Sequence, residues 1–231
     1  EPEFDCANAE TAVNAMNSAK FVVALSMYKD PVLEAHANVI LPIAAFTETS
    51  GTFVNAAGTW QSFTGMAKAH AHSRPAWKVL RVLANFLHVS GFDYESSEEV
   101  RDEVRALAEN RVSSAPQFTQ LKSEAVKIEL ARIGEIPIYS GDSLVRRAGA
   151  LQKAQEVMEG DVSCVRIHPE TAKKYQLQDG GRVIVKQGDA GVELPLLCDA
   201  RIARDAAWVA GARSTAIVLG GLFDKIEIQK A

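Results

Sequence analysis

The sequence predicts a mixed α/β protein in three parts. These are an α/β and helical part over residues 1–135, a linker and helix over 136–158, and a small β-barrel over 159–231. Three observations predict this order. Two apolar runs enclose a short helix near the start, helical periodicity then dominates residues 75–131, and short extended runs alternate with turns after Gly160.

The first part has the pattern of a strand–helix–strand unit. Residues 20–25 and 38–41 are apolar runs without alternation, which is typical of strands covered on both faces. Asp30 can cap a short helix between them, with Pro31 at its first position, and residues 9–19 suit an earlier helix. Such units form parallel sheets, in which ligands bind beyond the carboxyl ends of the strands.

The helical stretch begins at Pro75 and contains three predicted helices. The first has apolar residues at helical spacing and is closed by Gly91. Ser96 and Glu99 have the spacing of a capping box, which marks the start of the second. The third is predicted over residues 118–133.

Residues 134–139 break the helical pattern and are a candidate linker, after which residues 142–157 are again helical. One further helix is predicted over residues 169–175. The extended runs of the last part are 164–167, 182–185, 192–197, 207–209 and 225–228. Their spacing of about ten residues is typical of a small β-barrel.

Composition excludes several classes of function. The net charge is −4, so we expect neither nucleic acid nor an anionic membrane surface as a partner. No apolar run approaches the ~18–20 residues that cross a bilayer, so direct membrane insertion is not expected. The chain begins at Glu1 without a methionine, and we expect it to be a piece of a longer polypeptide.

The residues predict no catalytic group and no metal ligand set. Cys6, Cys164 and Cys198 are far apart, and we expect them to be small buried hydrophobes rather than a disulfide framework. His70 and His72 could share a metal on a strand, but no third ligand is evident. Signatures for a nucleophilic serine or for phosphate binding are missing.

Two stretches carry a family resemblance. Residues 37–63, ANVILPIAAFTETSGTFVNAAGTWQSF, stop an apolar run at Pro42 and continue with small polar side chains. They resemble the molybdopterin oxidoreductase family, where a strand ending A-D-V-[VI]-L-P leads to E-x-x-G-T-F-x-N-x-E-G-R-x-Q. Residues 167–211, IHPETAKKYQLQDGGRVIVKQGDAGVELPLLCDARIARDAAWVAG, are similar to its C-terminal dinucleotide-binding module, a double-psi β-barrel.

A narrower resemblance is to the large peripheral-arm subunit of bacterial NADH:quinone oxidoreductase, respiratory complex I. It is carried by LPIAAFTETSGTFVN, RPAWKVLRVLANFL and IPIYSGDSLVRRAGALQ. The third stretch is the most specific, because a general molybdenum enzyme has no reason to carry Asp142 and Arg146 there. The resemblance implies a scaffold without the molybdenum cofactor, whose iron–sulfur clusters belong to a cysteine-rich part of the parent subunit.

The residues support loss of that cofactor. Where the family pattern has Glu and Arg after Asn55, this chain has Ala57 and Thr59, so an arginine that could anchor a charged group is replaced. We therefore expect no cofactor in this chain and a pterin-facing loop that is only vestigial. Its candidate residues are Thr49, Gly51, Thr52, Asn55 and Gly58. We also expect Phe46, Phe53, Trp60 and Phe63 to fill the space beside that loop.

The resemblance implies a non-catalytic scaffold region of complex I. Its partners would be other peripheral-arm subunits, and its place the cytoplasmic side of the bacterial inner membrane, within a membrane-bound complex. Two alternatives stay open at this point. One is a fragment of an active molybdopterin-dependent oxidoreductase, and the other is a small-molecule-binding regulatory barrel.

Overall fold

A computed structural model describes residues 1–109 and 128–231. The chain divides into two compact units. We call residues 1–20 with 123–231 the sheet unit, and residues 21–122 the central unit. Within the described residues, no helix has the length and apolar character that a membrane span requires.

Short helices and strands make up both units. In chain order, the helices are α1 (Pro2–Asp5), α2 (Ala9–Ser18), α3 (Pro31–His36), α4 (Ala76–Phe86), α5 (Ser97–Glu109), α6 (Ser143–Arg147), α7 (Gly149–Glu159) and α8 (Pro169–Lys174). The strands are β1 (Val23–Ser26), β2 (Val39–Pro42), β3 (Gly51–Val54), β4 (Trp60–Phe63), β5 (Ala131–Ile133), β6 (Val165–Ile167), β7 (Arg182–Gln187), β8 (Ala190–Cys198), β9 (Ala206–Val209) and β10 (Glu227–Lys230).

The predicted strand–helix–strand unit is confirmed in the central unit. β1 and β2 pair in parallel, with Val23 opposite Val39. Asp30 caps α3, its Oδ1 accepting a hydrogen bond from the Val32 N–H at 2.9 Å. The expectation that both strands are buried is wrong, because every residue of β1 and β2 is exposed or half-buried. Two strands alone leave each other an open edge and an uncovered face.

The rest of the central unit is a hairpin and two helices. β3 and β4 pair antiparallel, with Thr52 opposite Ser62. α4 starts directly after Pro75, as predicted. The predicted cap of α5 is present, since the Glu99 N–H donates to Ser96 Oγ at 3.2 Å. The reciprocal bond to the Glu99 carboxylate comes from the Glu95 N–H, one residue earlier than a capping box requires.

The sheet unit contains a six-stranded half-barrel with the strand order β10-β7-β8-β6-β9-β5. Its two outer ends are joined by backbone hydrogen bonds. The Arg132 N–H of β5 donates to the Asp224 carbonyl at 2.8 Å, and the Ile226 N–H donates to the Leu130 carbonyl at 3.0 Å. The strands therefore curve far enough for β5 to reach the segment that precedes β10.

The core of the sheet unit lies inside this half-barrel. Four side chains from three neighbouring strands are fully buried: Val165, Ile167, Val185 and Leu196. Inward and outward residues alternate along β7, the pattern expected for a sheet with one face against a core. The sequence-based prediction of a mixed α/β fold that ends in a small sheet of short strands is confirmed at this level.

Two predicted helices differ from the structure. The helix predicted over 118–133 lies partly outside the described residues, and residues 131–133 form β5, because they pair with β9. The helix predicted over 142–157 is two helices that meet at Ala148. Asp142 caps the first, accepting from Leu144 N at 2.7 Å. The division into 1–135, 136–158 and 159–231 stays a prediction about folding units.

Candidate functional site

The carboxyl ends of β1 and β2 reach the same edge of their sheet, and a cavity of about 500 Å³ lies there. Its apolar lining consists of Met27, Pro42, Ile43, Ala45 and Ala71. Its polar lining consists of Tyr28, Glu48, His70, His72 and Ser73. A cavity of this size at this place is where parallel α/β sheets bind ligands.

Side-chain hydrogen bonds shape the exit of β1 into the cavity. The Ser26 hydroxyl donates to the Tyr28 carbonyl at 2.7 Å and accepts from the Tyr28 N–H at 3.1 Å. This local loop turns the chain immediately after the last residue of β1. Met27 and Tyr28 are thereby placed in the cavity wall.

A tight turn over residues 70–73 forms another wall. The Ser73 hydroxyl and N–H both donate to the His70 carbonyl, at 2.6 and 2.9 Å. Between them Ala71 has a φ of 47°, a left-handed conformation that costs a side chain energy. His70 and His72 thus lie in a turn at the cavity. Across the described residues, no group of three or more His, Cys, Asp or Glu side chains could hold a metal ion.

The one carboxylate in the described lining belongs to Glu48. Its Oε2 accepts from the Ala45 N–H at 3.3 Å, and its own N–H donates to the Ala45 carbonyl at 2.9 Å. Among the described residues that line the cavity, none is Lys or Arg. The cavity is therefore suited to neutral or cationic groups and repels a polyanion.

The residues present do not fit a pterin dinucleotide, the cofactor that the family resemblance implies. The diphosphate of such a group needs cationic side chains or converging backbone N–H donors. The lining instead offers Glu48, and Thr59 occupies the position of the family's arginine. No chemical step through that cofactor follows from these residues.

None of the five predicted loop residues lines the cavity. The Thr49 hydroxyl donates to the Ser50 carbonyl at 3.1 Å. Thr52 Oγ1 lies 3.0 Å from Ser62 Oγ across the hairpin. Gly51 lies beneath the Phe63 ring, where a Cβ would approach a ring carbon to 2.8 Å. These residues hold the hairpin together and face each other rather than a cleft.

Asn55 and Gly58 form the hairpin tip. Asn55 Oδ1 accepts hydrogen bonds from the N–H groups of Ala57 and Thr59, at 3.0 and 2.9 Å. Gly58 has a φ of 77°, which favours glycine at that position. Thr59 is exposed beside them. The motif letters in this stretch describe a turn.

The expected filling of the cleft by aromatic rings is wrong for two of the four residues. Phe46 is 56% exposed and Phe53 is 67% exposed. Phe53 stacks on Phe63 with ring centroids 5.3 Å apart, but on an open face of the hairpin. Trp60 lies on the opposite face, with the Arg105 guanidinium 5.9 Å from its ring centre. A two-stranded ribbon has no second layer for its outer face.

The expectation of three buried cysteines is also wrong for two of them. Cys164 is buried, and this burial raises the pKa of its thiol. Cys198 is half-buried and Cys6 is exposed. Sequence reasoning missed Tyr28 and Glu48 as cavity residues. The available signal was position, since Tyr28 follows the first apolar run and Glu48 follows the second.

Comparisons with known proteins put this geometry in context. Residues 1–86 match the family model described as molybdopterin oxidoreductase. The G-type subunit of NADH-quinone oxidoreductase from Mycobacterium bovis (strain ATCC BAA-935 / AF2122/97) is 26% identical over 197 residues, which is 83% of this chain and 23% of that protein. NADH dehydrogenase [ubiquinone] iron-sulfur protein 1, mitochondrial, of Solanum tuberosum is 26% identical over 53% of this chain and 16% of its own length.

The fold is found in a solved structure as well. Acetylene hydratase from Pelobacter acetylenicus superposes with a TM-score of 0.67 and 13% identity, over 95% of this chain and 42% of that chain. This likeness shows the fold alone. The chain spans about a quarter of the length of the mycobacterial relative. It carries a molybdopterin oxidoreductase family domain over residues 1–86 and is a distant homologue of the G-type subunit of NADH-quinone oxidoreductase over most of its length.

Proposed function

We propose that the chain is a non-catalytic scaffold region of the large subunit of NADH:quinone oxidoreductase, complex I. Electrons would pass from NADH to quinone through iron–sulfur clusters held elsewhere in the parent protein. One observation carries the proposal. The cavity at the ends of β1 and β2 presents the Glu48 carboxylate and, among its described lining residues, no lysine or arginine that could hold a pterin dinucleotide.

We propose further that the half-barrel of the sheet unit is a double-psi β-barrel. Its strand pairing supports this. β5 is parallel to β9, β6 is parallel to β8, and the two pairs are joined through antiparallel β6 and β9. The hydrogen bonds between β5 and residues 224–226 bring the ends of the sheet together.

The partners would be other peripheral-arm subunits, on the cytoplasmic side of the bacterial inner membrane. The surface of α4 supports this. Leu80, Val82, Phe86 and Leu87 are between 46% and 78% exposed and lie on more than one side of the helix. A helix that is apolar on several sides is normally buried, and a large exposed apolar patch marks an interaction site.

Association with purified peripheral-arm subunits of a bacterial complex I tests the proposal. We expect the chain to co-elute with them in size-exclusion chromatography, and Phe86→Asp to weaken the association at least tenfold. Val157→Asp is the matched control, because Val157 is 87% exposed on α7, in the sheet unit. Failure of the unaltered chain to associate, or an equal loss in both variants, would contradict the proposal.

A second measurement separates the proposal from the alternatives. The purified chain is assayed for iron and molybdenum, and its melting temperature is recorded with and without a pterin dinucleotide. A ligand that binds the folded state raises that temperature. We expect no stoichiometric metal and no shift. Molybdenum or a pterin-dependent shift would instead favour an active molybdopterin enzyme, and a shift with another small molecule would favour a regulatory barrel.

A further inference from the structure

The first helix of the chain is held on the sheet unit by arginines of α6. Arg146 donates through Nε to Glu1 Oε2 at 3.0 Å and through a terminal nitrogen to Asp5 Oδ1 at 2.9 Å. Arg147 forms an ion pair with the other oxygen of Glu1. Glu1 and Arg146 are less than a tenth exposed, so this is an enclosed charge cluster rather than a surface pair.

An aromatic ring completes the contact. The Arg146 guanidinium lies 5.0 Å from the centre of the Phe4 ring, a cation–π distance. Phe4 also lines a cavity of about 240 Å³, with Arg132 and Arg213 in the wall of the same cavity. Charge and shape are therefore complementary along the segment. Acidic and aromatic side chains on one side meet four arginines on the other.

The arginine side is held in place by the sheet unit itself. Arg146 donates to the Ser140 carbonyl at 2.8 Å, and α6 is capped by Asp142. Arg132 is 2% exposed and donates to the carbonyls of Val209 and Gly220, each at 3.2 Å. The guanidinium groups are thus positioned by contacts that do not involve the first helix.

The electrostatics favour ionised carboxylates in this groove. Burial of Glu1 opposes its ionisation, but hydrogen bonds from Arg147 and Arg146 hold its pKa below the usual value. Burial likewise opposes the charge of Arg146, and its bonds to Glu1 and Asp5 raise its pKa above the usual value. Each side therefore stabilises the charged form of the other.

We propose that the groove formed by Arg146, Arg147, Arg132 and Arg213 is a recognition site for an acidic peptide segment that carries an aromatic residue. Residues 1–6 occupy the groove in cis. A segment of the same chemistry on a partner protein displaces them and binds there. This inference is independent of the proposed role in complex I, because it rests only on contacts within the sheet unit.

The test uses the full chain and an acetylated, amidated peptide Glu-Pro-Glu-Phe-Asp-Ala with a fluorescent label. Acetylation removes any contribution from a terminal amine. We expect the double variant Glu1→Gln with Asp5→Asn to bind the peptide at least tenfold more tightly than the unaltered chain, because its own segment competes less. A peptide with Gln, Gln and Asn in place of the acids should bind at least tenfold more weakly.

Adding Arg146→Ala to the double variant should weaken peptide binding at least tenfold. Arg182→Ala is the matched control and should leave binding unchanged, since Arg182 is an exposed arginine of the same unit that pairs with Glu193. Equal binding with and without Arg146, or no binding by the double variant at millimolar peptide, would overturn the proposal.

Hydrogen exchange in the unaltered chain tests the same idea without a variant that could misfold. The Asp5 N–H donates to the Glu1 carbonyl at 2.9 Å, and the Cys6 N–H donates to the Pro2 carbonyl at 3.1 Å. Excess peptide should speed the exchange of these two amides at least tenfold and leave the Val185 amide in β7 unchanged. Exchange that does not respond to the peptide would count against displacement.

Discussion

The sheet unit and the central unit bury their apolar residues very differently. In the sheet unit, the strand residues Val165, Val185 and Leu196 have no exposed surface. In the central unit, the strand residues Val23, Val39 and Phe53 are between 38% and 67% exposed. The half-barrel covers its own core because its six strands curve until the ends meet. The parallel pair and the hairpin of the central unit have no opposing layer, so their stability depends on what else packs against them.

The largest expected effect is at the centre of the half-barrel. Leu196→Ala should lower the free energy of unfolding of the sheet unit by ~2–5 kcal/mol, because it leaves a cavity in a closed core. Phe53→Ala is the matched change in the central unit and should cost less than ~1 kcal/mol, since the ring is already in solvent. Urea denaturation followed by tryptophan fluorescence and circular dichroism measures both.

If Phe53→Ala costs as much as Leu196→Ala, the two units share one core and the comparison fails. Native-state hydrogen exchange provides an independent reading. We expect the amides of β7 and β8 to exchange far more slowly than those of β1 and β2. Similar rates in the two sets would contradict the difference in burial.

A glycine of the sheet unit should produce the next largest effect. A Cβ at Gly134 would come within 2.5 Å of the Leu222 carbonyl oxygen, a backbone atom that cannot easily move aside. We expect Gly134→Ala to destabilise the sheet unit by ~1–3 kcal/mol. Gly149→Ala is the control, because open space surrounds that position at the start of α7. Thermal melts of the two variants should separate, and coincident melts would contradict the close approach.

The cap of α3 allows a smaller test in the central unit. Asp30→Ala removes the acceptor for the Val32 N–H and should cost ~0.5–2 kcal/mol. Asp30→Asn keeps a side-chain acceptor and should recover most of the loss. The helix signal of the central unit in urea denaturation is the measurement. A full loss in the Asn variant would show that charge, rather than the hydrogen bond, stabilises this helix.

The smallest expected effect depends on pH. Hydrogen bonds from Arg201 lower the pKa of Asp199 to about 2, below its ordinary value of 3.8. The folded state thus favours the ionised carboxylate, which stabilises the protein above about pH 4 and loses that contribution as the pH falls towards 2. Asp199→Asn should flatten the acid limb of the stability profile by less than ~1 kcal/mol, because the pair is largely in solvent. An unchanged profile would contradict the shift.

Local patterns predicted most of the elements, and contacts between distant residues decided the rest. Asp30, Pro75 and Asp142 mark helix starts, because capping depends only on residues within one turn. β5 was missed because residues 131–133 carry a weak local preference, and their pairing with β9 involves residues about 75 positions away. The grouping of residues 1–20 with 123–231 is non-local in the same sense.

The candidate site divides along the same line. Its position at the carboxyl ends of two parallel strands follows from the strand–helix–strand pattern. Its lining does not, because Tyr28, Glu48 and His70 come from three separate connections that meet only in the fold. Motif matching directed attention to Asn55 and Gly58, which form the hairpin tip outside the cavity. Likewise, exposure of Phe53 could not be read from its apolar character, since only the missing layer above the hairpin decides it.

The double hydrogen bond accepted by Asn55 has a consequence for evolutionary inference. A residue that closes a backbone turn is under selection for the turn itself, whether or not a ligand is nearby. A lineage that abandons a ligand can therefore keep Asn55 and Gly58 while a neighbouring arginine drifts to threonine. Search signatures built on such letters track ancestry of the hairpin. Biochemical inference within such a lineage is better drawn from the position that changed, Thr59, than from the positions that stayed.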